Sequence, residues 1–145
     1  MAATRVSDLH RTAFVTGAST GLGRAFAEIL LADGVRVWGT SRDTARLASL
    51  AAKHPDNVTA VALDLRDATA AVAAFRAAEK EAGGFDVVVN NAGYGSFGEF
   101  KDTSLRSELA MMQLNMNTVV VLSKLFLPDL LATRGKILNT ASTAA

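Results

Sequence analysis

The chain has 145 residues, half of them apolar, with 15 basic and 14 acidic residues and a net charge of +1. That length suits one domain with a real core, and that composition excludes a disordered chain. The even mixture of charges argues against a nucleic-acid surface, and the absence of Cys excludes disulfides and thiolate metal sites.

Residues 1–11 read as a loose tail. Arg5, Asp8 and His10 interrupt it, so it lacks the apolar segment of a signal peptide. His10 and His54 stand far apart, suggest no metal cluster, and each read as a solvated residue near a turn. The first strand is expected over Thr12–Thr16, with Ala13-Phe14-Val15 as its buried run. A helix follows over Gly21–Asp33, with Phe26, Ile29 and Leu30 on one face and Gly34 as its stop. The second strand is Val35–Thr40. A second helix starts near Asp43, turns Leu47 and Leu50 inward and ends at Pro55. The third strand is Val58–Leu63. A third helix, Ala68–Glu81, is Ala-rich, with Val72 and Phe75 as its larger core residues, and Gly83-Gly84 stops it. Val87-Val88-Val89 is the fourth strand, and a glycine-rich loop runs on to Phe100. One long helix is expected over Ser104–Leu131, kinked or closed at Pro128. The fifth strand is Lys136–Thr140. No apolar run reaches the roughly 18 residues of a membrane span, so a soluble cytoplasmic protein without membrane contact is expected.

Short apolar strands alternating with helices predict βαβ units and a parallel sheet buried on both faces. Right-handed crossovers put the first two helices on one face and the next two on the other. The expected fold is therefore α/β: one doubly wound, Rossmann-like domain over 1–145 with strand order 3-2-1-4-5, incomplete after the fifth strand.

Within that frame the unusual polar residues fall at strand ends. Thr16-Gly17-Ala18-Ser19-Thr20-Gly21-Leu22-Gly23 joins the first strand to the first helix. Glycines there allow a sharp turn and close approach of an anion. The helix start offers free N–H groups and the positive end of its dipole. Ser41 and Arg42 end the second strand, Asp64 the third, Asn90 and Asn91 the fourth, and Ser142 the fifth. A parallel sheet places all of them along one edge, beside the switch point where such sheets bind ligands.

These residues resemble the short-chain dehydrogenases/reductases. Thr16–Gly23 is similar to that family's Thr-Gly-x-x-x-Gly-x-Gly loop, and Asn90-Asn91-Ala92-Gly93 to its Asn-Asn-Ala-Gly. The resemblance runs from Thr12 to Ala145 and implies a nicotinamide dinucleotide cofactor. It assigns cofactor contacts to Gly17, Ser19, Thr20, Gly21, Leu22, Gly23, Ser41, Arg42, Asp64, Leu65, Asn91, Ala92 and Gly93. It assigns catalytic roles to Ser142 and Asn115, and no metal. The family's NAD-binding members carry an acid where Ser41 stands, whereas a guanidinium such as Arg42 pairs bidentately with a 2′-phosphate; NADP is favoured over NAD. Asp43 reads as a helix cap rather than a selector. Other residues keep two readings. Asp64 contacts adenine or caps a loop. Asn90 and Asn91 hold a turn or touch the cofactor. Asn115 is catalytic or a buried helix residue. Met111, Met112 and Met116 belong to the core or an interface. Tyr94, Phe97 and Phe100 line a substrate pocket or pin the loop.

The family's acid/base pair, Tyr-x-x-x-Lys, is missing: the one Tyr is Tyr94, and Gly98 stands four residues on. A phenol with its ordinary pKa near 10 needs a neighbouring cation to exchange protons readily at neutral pH. The implied activity is hydride transfer between NADPH and a small-molecule carbonyl or secondary alcohol. The chain alone is expected to be nearly inactive, unstable or self-associating, and part of a longer polypeptide that forms a homo-oligomer. The alternatives are a non-catalytic dinucleotide-binding module and, more remotely, a partner-binding scaffold using the open edge strand.

Overall fold

The structure is a computed structural model and describes residues 4–141. Five parallel strands form one sheet in the order 3-2-1-4-5: β1 (Thr12–Val15), β2 (Arg36–Ser41), β3 (Val58–Ala62), β4 (Val87–Asn90) and β5 (Lys136–Asn139). Five helices connect or flank them: α1 (Gly21–Ala32), α2 (Ala48–Lys53, entered through a 3₁₀ turn, Thr44–Leu47), α3 (Ala68–Ala82), α4 (Leu105–Met112) and α5 (Thr118–Thr133). Class, order and helix placement follow the pattern in the sequence.

The pleat divides the core. Ala13 and Val15 of β1 join Val37, Val87 and Val89 on one face, covered by Ala27, Leu30 and Leu31 of α1 and by Leu47 and Leu50. Phe14, between Ala13 and Val15, points the other way, as period-two strands require. It meets Phe75 of α3, Phe85 and Phe126 of α5, with ring centroids 5.1–6.1 Å away. Phe75 and Phe126 meet edge-on at 4.2 Å. The edge of one ring carries the partial positive charge that the face of the next attracts.

Several expectations need correction. Ile29 of α1 is 63% exposed, and the inward face is Gly23, Ala27, Leu30 and Leu31. The i, i+3, i+4 ladder had two possible phases, and contact with β2 selects the one carrying small residues. Val72 is only half-buried, whereas Ala71, Phe75 and Ala78 are buried. Residues 6–11 are docked rather than loose. Val6–Asp8 forms a 3₁₀ turn, the Val6 amide donates to the Asp33 carboxylate, and the Arg11 amide donates to Asp86 Oδ2 at 2.6 Å. His10 is buried, not solvated.

The long helix is not continuous. A π turn, Gln113–Asn117, separates α4 from α5. Pro128 does not end α5, which runs to Thr133 and closes on Arg134 in the left-handed region. Counted as one 29-residue rod, Leu105–Thr133 is long and apolar enough to cross a membrane, with a mean hydropathy of 1.3 and 22% of that window buried. Counting uninterrupted apolar residues missed it, because polar residues such as Ser123 and Lys124 break the run without lowering the mean much. Met112 and Met116 are exposed and so do not belong to the core.

Candidate functional site

Register places the strand tips in a row. Val15 pairs with Gly39 and Val89, Ser41 with Ala62, and Asn90 with Asn139. The segments that follow the tips of β1 to β4 surround a cleft of about 1020 Å³. Gly17, Ser19, Thr20 and Leu22 line it from the first loop; Ser41 and Arg42 from β2; Asp64 and Leu65 from beyond β3; Asn91, Ala92 and Gly93 from beyond β4.

The glycine loop is held from both sides. The Gly17 amide donates to Thr40 Oγ1 at 3.1 Å, and the Ala18 amide to the Thr40 carbonyl at 3.0 Å. Thr16 Oγ1 accepts from the Asn91 and Ala92 amides at 2.8 and 2.9 Å, and Asn91 Nδ2 donates to the Thr16 carbonyl at 3.2 Å. Asn91 therefore fastens the loop to the tip of β4. Gly17 has φ +65°, a turn that glycine takes without strain. Gly23 serves closeness instead: a Cβ there would lie 2.3 Å from the Gly17 carbonyl oxygen and 2.4 Å from Asn91 Nδ2. The two glycines that do not line the cleft have separable roles. Gly23 lets α1 approach the loop, and Gly21 opens the helix with nothing within 4 Å of its Cβ position.

The α1 start is prepared for an anion. Thr20, its N-cap, makes no side-chain capping bond, and the first turn carries no acid. The first-turn N–H groups are thus left without side-chain acceptors where the helix dipole is positive.

At the tip of β2, Ser41 is buried and Arg42 exposed. The Asp43 side chain accepts from the Ala45 amide at 3.0 Å, the helix-capping role read from the sequence. Beyond β3, Asp64 meets Arg66 closely. Arg66 Nε donates to Oδ1 at 2.9 Å and to Oδ2 at 3.1 Å, Nη2 donates to Oδ2 at 2.5 Å, and the Arg66 amide donates to Oδ1 at 3.0 Å. This hydrogen bonding holds the Asp64 carboxyl well below its ordinary range, at about 2, and raises the Arg66 guanidinium. Asp64 thus caps its loop, and Leu65 accepts at its carbonyl from Thr118 Oγ1 at 3.0 Å.

Asn115 lies in the π turn and is exposed, not buried. Its Nδ2 donates to the Tyr94 carbonyl at 2.8 Å and its Oδ1 accepts from the Tyr94 amide at 3.2 Å. It grips the backbone of the loop after β4 rather than lining the cleft. Asn90 is buried and donates to Asn139 Oδ1 at 2.9 Å and Ser123 Oγ at 3.2 Å, tying β4 to β5 and α5. Tyr94 lines the cleft. Phe97 and Phe100 are 90% and 83% exposed and do not pin the loop against the body. Ser142 lies outside the described residues.

Sequence reasoning missed Thr40, Arg46 and Arg66 as cleft residues. A signal existed for two of them. Arg46 stands four residues after Arg42, one helical turn on, and Arg66 two after Asp64, the reach of a side-chain-to-backbone turn. Thr40 carried none, because its role depends on the loop of another strand.

A family model described as short chain dehydrogenase matches residues 11–145. A relative from Haemophilus influenzae, named a probable NADP-dependent dehydrogenase, is 33% identical over 135 residues, covering 92% of this chain and 54% of its own length. A solved short-chain dehydrogenase from Streptomyces avermitilis is 34% identical with a TM-score of 0.88, covering 94% of this chain and 50% of that one. A metagenomic short-chain oxidoreductase solved in complex with NADP is 32% identical with a TM-score of 0.86, covering 92% and 63%. The chain spans about half the length of the curated relatives it matches.

Proposed function

The chain belongs to the short-chain dehydrogenase family, and we propose that it forms the dinucleotide-binding part of an NADP-dependent oxidoreductase acting on a small carbonyl or secondary alcohol. One observation carries the cofactor choice. Arg42 shares the cleft with the glycine loop, and Ser41 occupies the β2 tip where an acid would repel a 2′-phosphate.

The residues present suit such a cofactor: an uncapped helix start, glycines where a Cβ would collide, and free guanidinium groups at the far end of the cleft. A bound nicotinamide dinucleotide would supply the hydride acceptor or donor. Ser19, Thr20, Gly21 and Leu22 would present N–H and hydroxyl donors to its pyrophosphate, with Gly17, its amide held by Thr40, forming the turn that lets the phosphates approach. Arg42 would pair with the 2′-phosphate, while Asp64 and Leu65 would border the adenine. Asn91, Ala92 and Gly93 would border the nicotinamide half. Asn115 would keep the Tyr94 backbone in place, and Ser142 would orient the substrate oxygen.

The 145 residues hold no Tyr-x-x-x-Lys. A positioned proton donor accelerates such a step by about 10²–10⁴-fold. We therefore expect this chain to bind NADPH and to turn over ketones far more slowly than an intact family enzyme. A second reading is a binding module without catalysis; the two separate on whether slow, saturable NADPH oxidation accompanies binding.

The test is a fluorescence titration of the chain with NADPH and with NADH. NADPH is expected to bind more tightly, and Arg42→Ala to weaken NADPH by about tenfold or more, the scale of a lost charge-assisted pair, while NADH changes little. Equal loss of both cofactors would remove the 2′-phosphate assignment, and affinity for neither would remove the binding assignment altogether.

A further inference from the structure

Four charged side chains beside the β2 and β3 tips do not share their charges evenly. Arg42, Arg46, Asp64 and Arg66 all line the cleft, together with Asp43. Asp43 is occupied in capping the 3₁₀ turn through the Ala45 amide. Asp64 is fully engaged by Arg66, through three guanidinium contacts of 2.5–3.1 Å and one backbone contact of 3.0 Å. Arg42 and Arg46 form no salt bridge among the described residues.

The neighbouring geometry makes this arrangement consequential. Ser41 pairs with Ala62 across β2 and β3, and the Leu63 amide donates to the Ser41 carbonyl at 3.0 Å. Arg42 and Asp64 therefore follow adjacent strand tips at the same end of the sheet, and both line the cleft there. Arg42 already acts on Asp64 electrostatically, as the smaller of two cationic influences. An Asp64 freed from Arg66 would share its cleft with the guanidinium groups of Arg42 and Arg46.

We infer that Arg66 is a positioning residue that sequesters Asp64, so that Arg42 and Arg46 stay unpaired for a dianionic phosphate, and that it thereby sets phosphate selectivity without touching the phosphate. The inference rests on the NADP reading of the cleft. Arg66 acts by competition. A planar guanidinium satisfies both oxygens of a carboxylate at once, and a carboxylate so held is a poor partner for a second cation. Removing Arg66 hands Asp64 to Arg42, which cancels the charge the 2′-phosphate would meet.

Two measurements decide it. The first follows the Asp64 carboxyl by ¹³C NMR in the cofactor-free chain. In the wild-type background, Arg42→Ala is expected to move the Asp64 titration only slightly. In the Arg66→Ala background, the same substitution is expected to raise it clearly towards the ordinary carboxylate range. An equal effect of Arg42→Ala in both backgrounds would overturn the handover.

The second compares NADPH and NADH affinities. Arg66→Ala is expected to weaken NADPH about tenfold, the scale of one charged hydrogen-bonded pair, and to leave NADH within about twofold. Adding Asp64→Asn to Arg66→Ala is expected to restore most of the NADPH preference, because no carboxylate remains to capture Arg42. A structural role for Arg66 would lower both affinities together and would not be rescued by the second substitution; either result overturns the inference. Were the wild-type chain to bind both cofactors alike, the NADP reading would fall, and the carboxyl titration would still decide whether Arg66 holds Asp64 away from Arg42.

Discussion

Gly23 and Gly21 show how two glycines of one motif fail differently when changed. Gly23→Ala drives a methyl into the Gly17 carbonyl and the Asn91 amide. Its expected cost is about 1–3 kcal/mol of overpacking, with loss of NADPH binding as the loop is pushed off β4. Gly21→Ala meets no atom, yet its φ of +56° strains any Cβ by about 1–2 kcal/mol. Urea unfolding with parallel NADPH titration separates the two, and retention of binding by Gly23→Ala would contradict the close-approach role. Asp64 gives a pH prediction. Its folded pKa, at about 2, lies below its ordinary 3.8. The pair therefore contributes its full stability above that ordinary value and loses it as pH falls towards 2. Both side chains are more than a third exposed (40% and 46%), so solvent screening limits the effect to under about 1 kcal/mol. Wild type should exceed Asp64→Asn by that margin near neutrality and converge with it towards pH 2; a margin that persists in acid would contradict the ion pair. At this scale the glycine loop, Arg42, Asp64 and Asn91 were readable, because each carries an uncommon chemical capacity at a strand end. The partner of Asp64 was missed although its spacing offered a signal, because spacing alone leaves Arg66 free to point to solvent and side-chain placement shows that it turns back to Asp64.

The π turn between α4 and α5 places Asn115 against the Tyr94 backbone and gives Thr118 a double task. Thr118 Oγ1 lies 2.9 Å from the Gln113 carbonyl and 3.0 Å from the Leu65 carbonyl, in a buried setting. It ties the irregular turn to the segment after β3. Thr118→Val keeps the shape and takes the hydroxyl donor from the Leu65 carbonyl, while the Gln113 carbonyl keeps the Thr118 amide, so a loss of about 1 kcal/mol is expected in urea unfolding, with Thr118→Ser nearly neutral. An unchanged Thr118→Val midpoint would show that the hydroxyl anchors nothing. Apolar periodicity made the helices readable, and turn glycines such as Gly34 and Gly83 made their ends so. The π turn was invisible because an extra residue per turn shifts the phase without changing residue type. Of the two roles expected for Pro128, a kink or a close, the second does not hold, since α5 continues through it to Thr133. Helix packing on the sheet through Phe126 and Leu130 outweighs one missing backbone bond.

At the level of the whole molecule, large apolar side chains stay exposed on the helices after β4 and on the edge strand β5. Leu105, Leu109 and Met112 of α4, Met116 of the π turn, Val120 and Leu131 of α5, and Ile137 and Leu138 of β5 are exposed. So much exposed apolar surface favours association. We expect the chain to sediment above monomer mass at micromolar concentration, and Val120→Lys with Leu131→Lys to shift it towards monomer; a monomeric wild type would remove this expectation. The strand order and the two-faced core were determined by sequence alone, because alternating apolar segments leave a doubly wound sheet as the one compact way to bury them all. The polar strand ends followed, since in a parallel sheet every strand finishes at the same edge. What only the tertiary structure decided was which charges meet across that edge. Adjacent strand tips bring Arg42 and Asp64 to one cleft, and side-chain placement pairs Asp64 with Arg66. The Asp64–Arg66 pair is local in the chain, but that Arg42 and the glycine loop share its cleft depends on the packing of strands far apart in sequence, which no local pattern encodes.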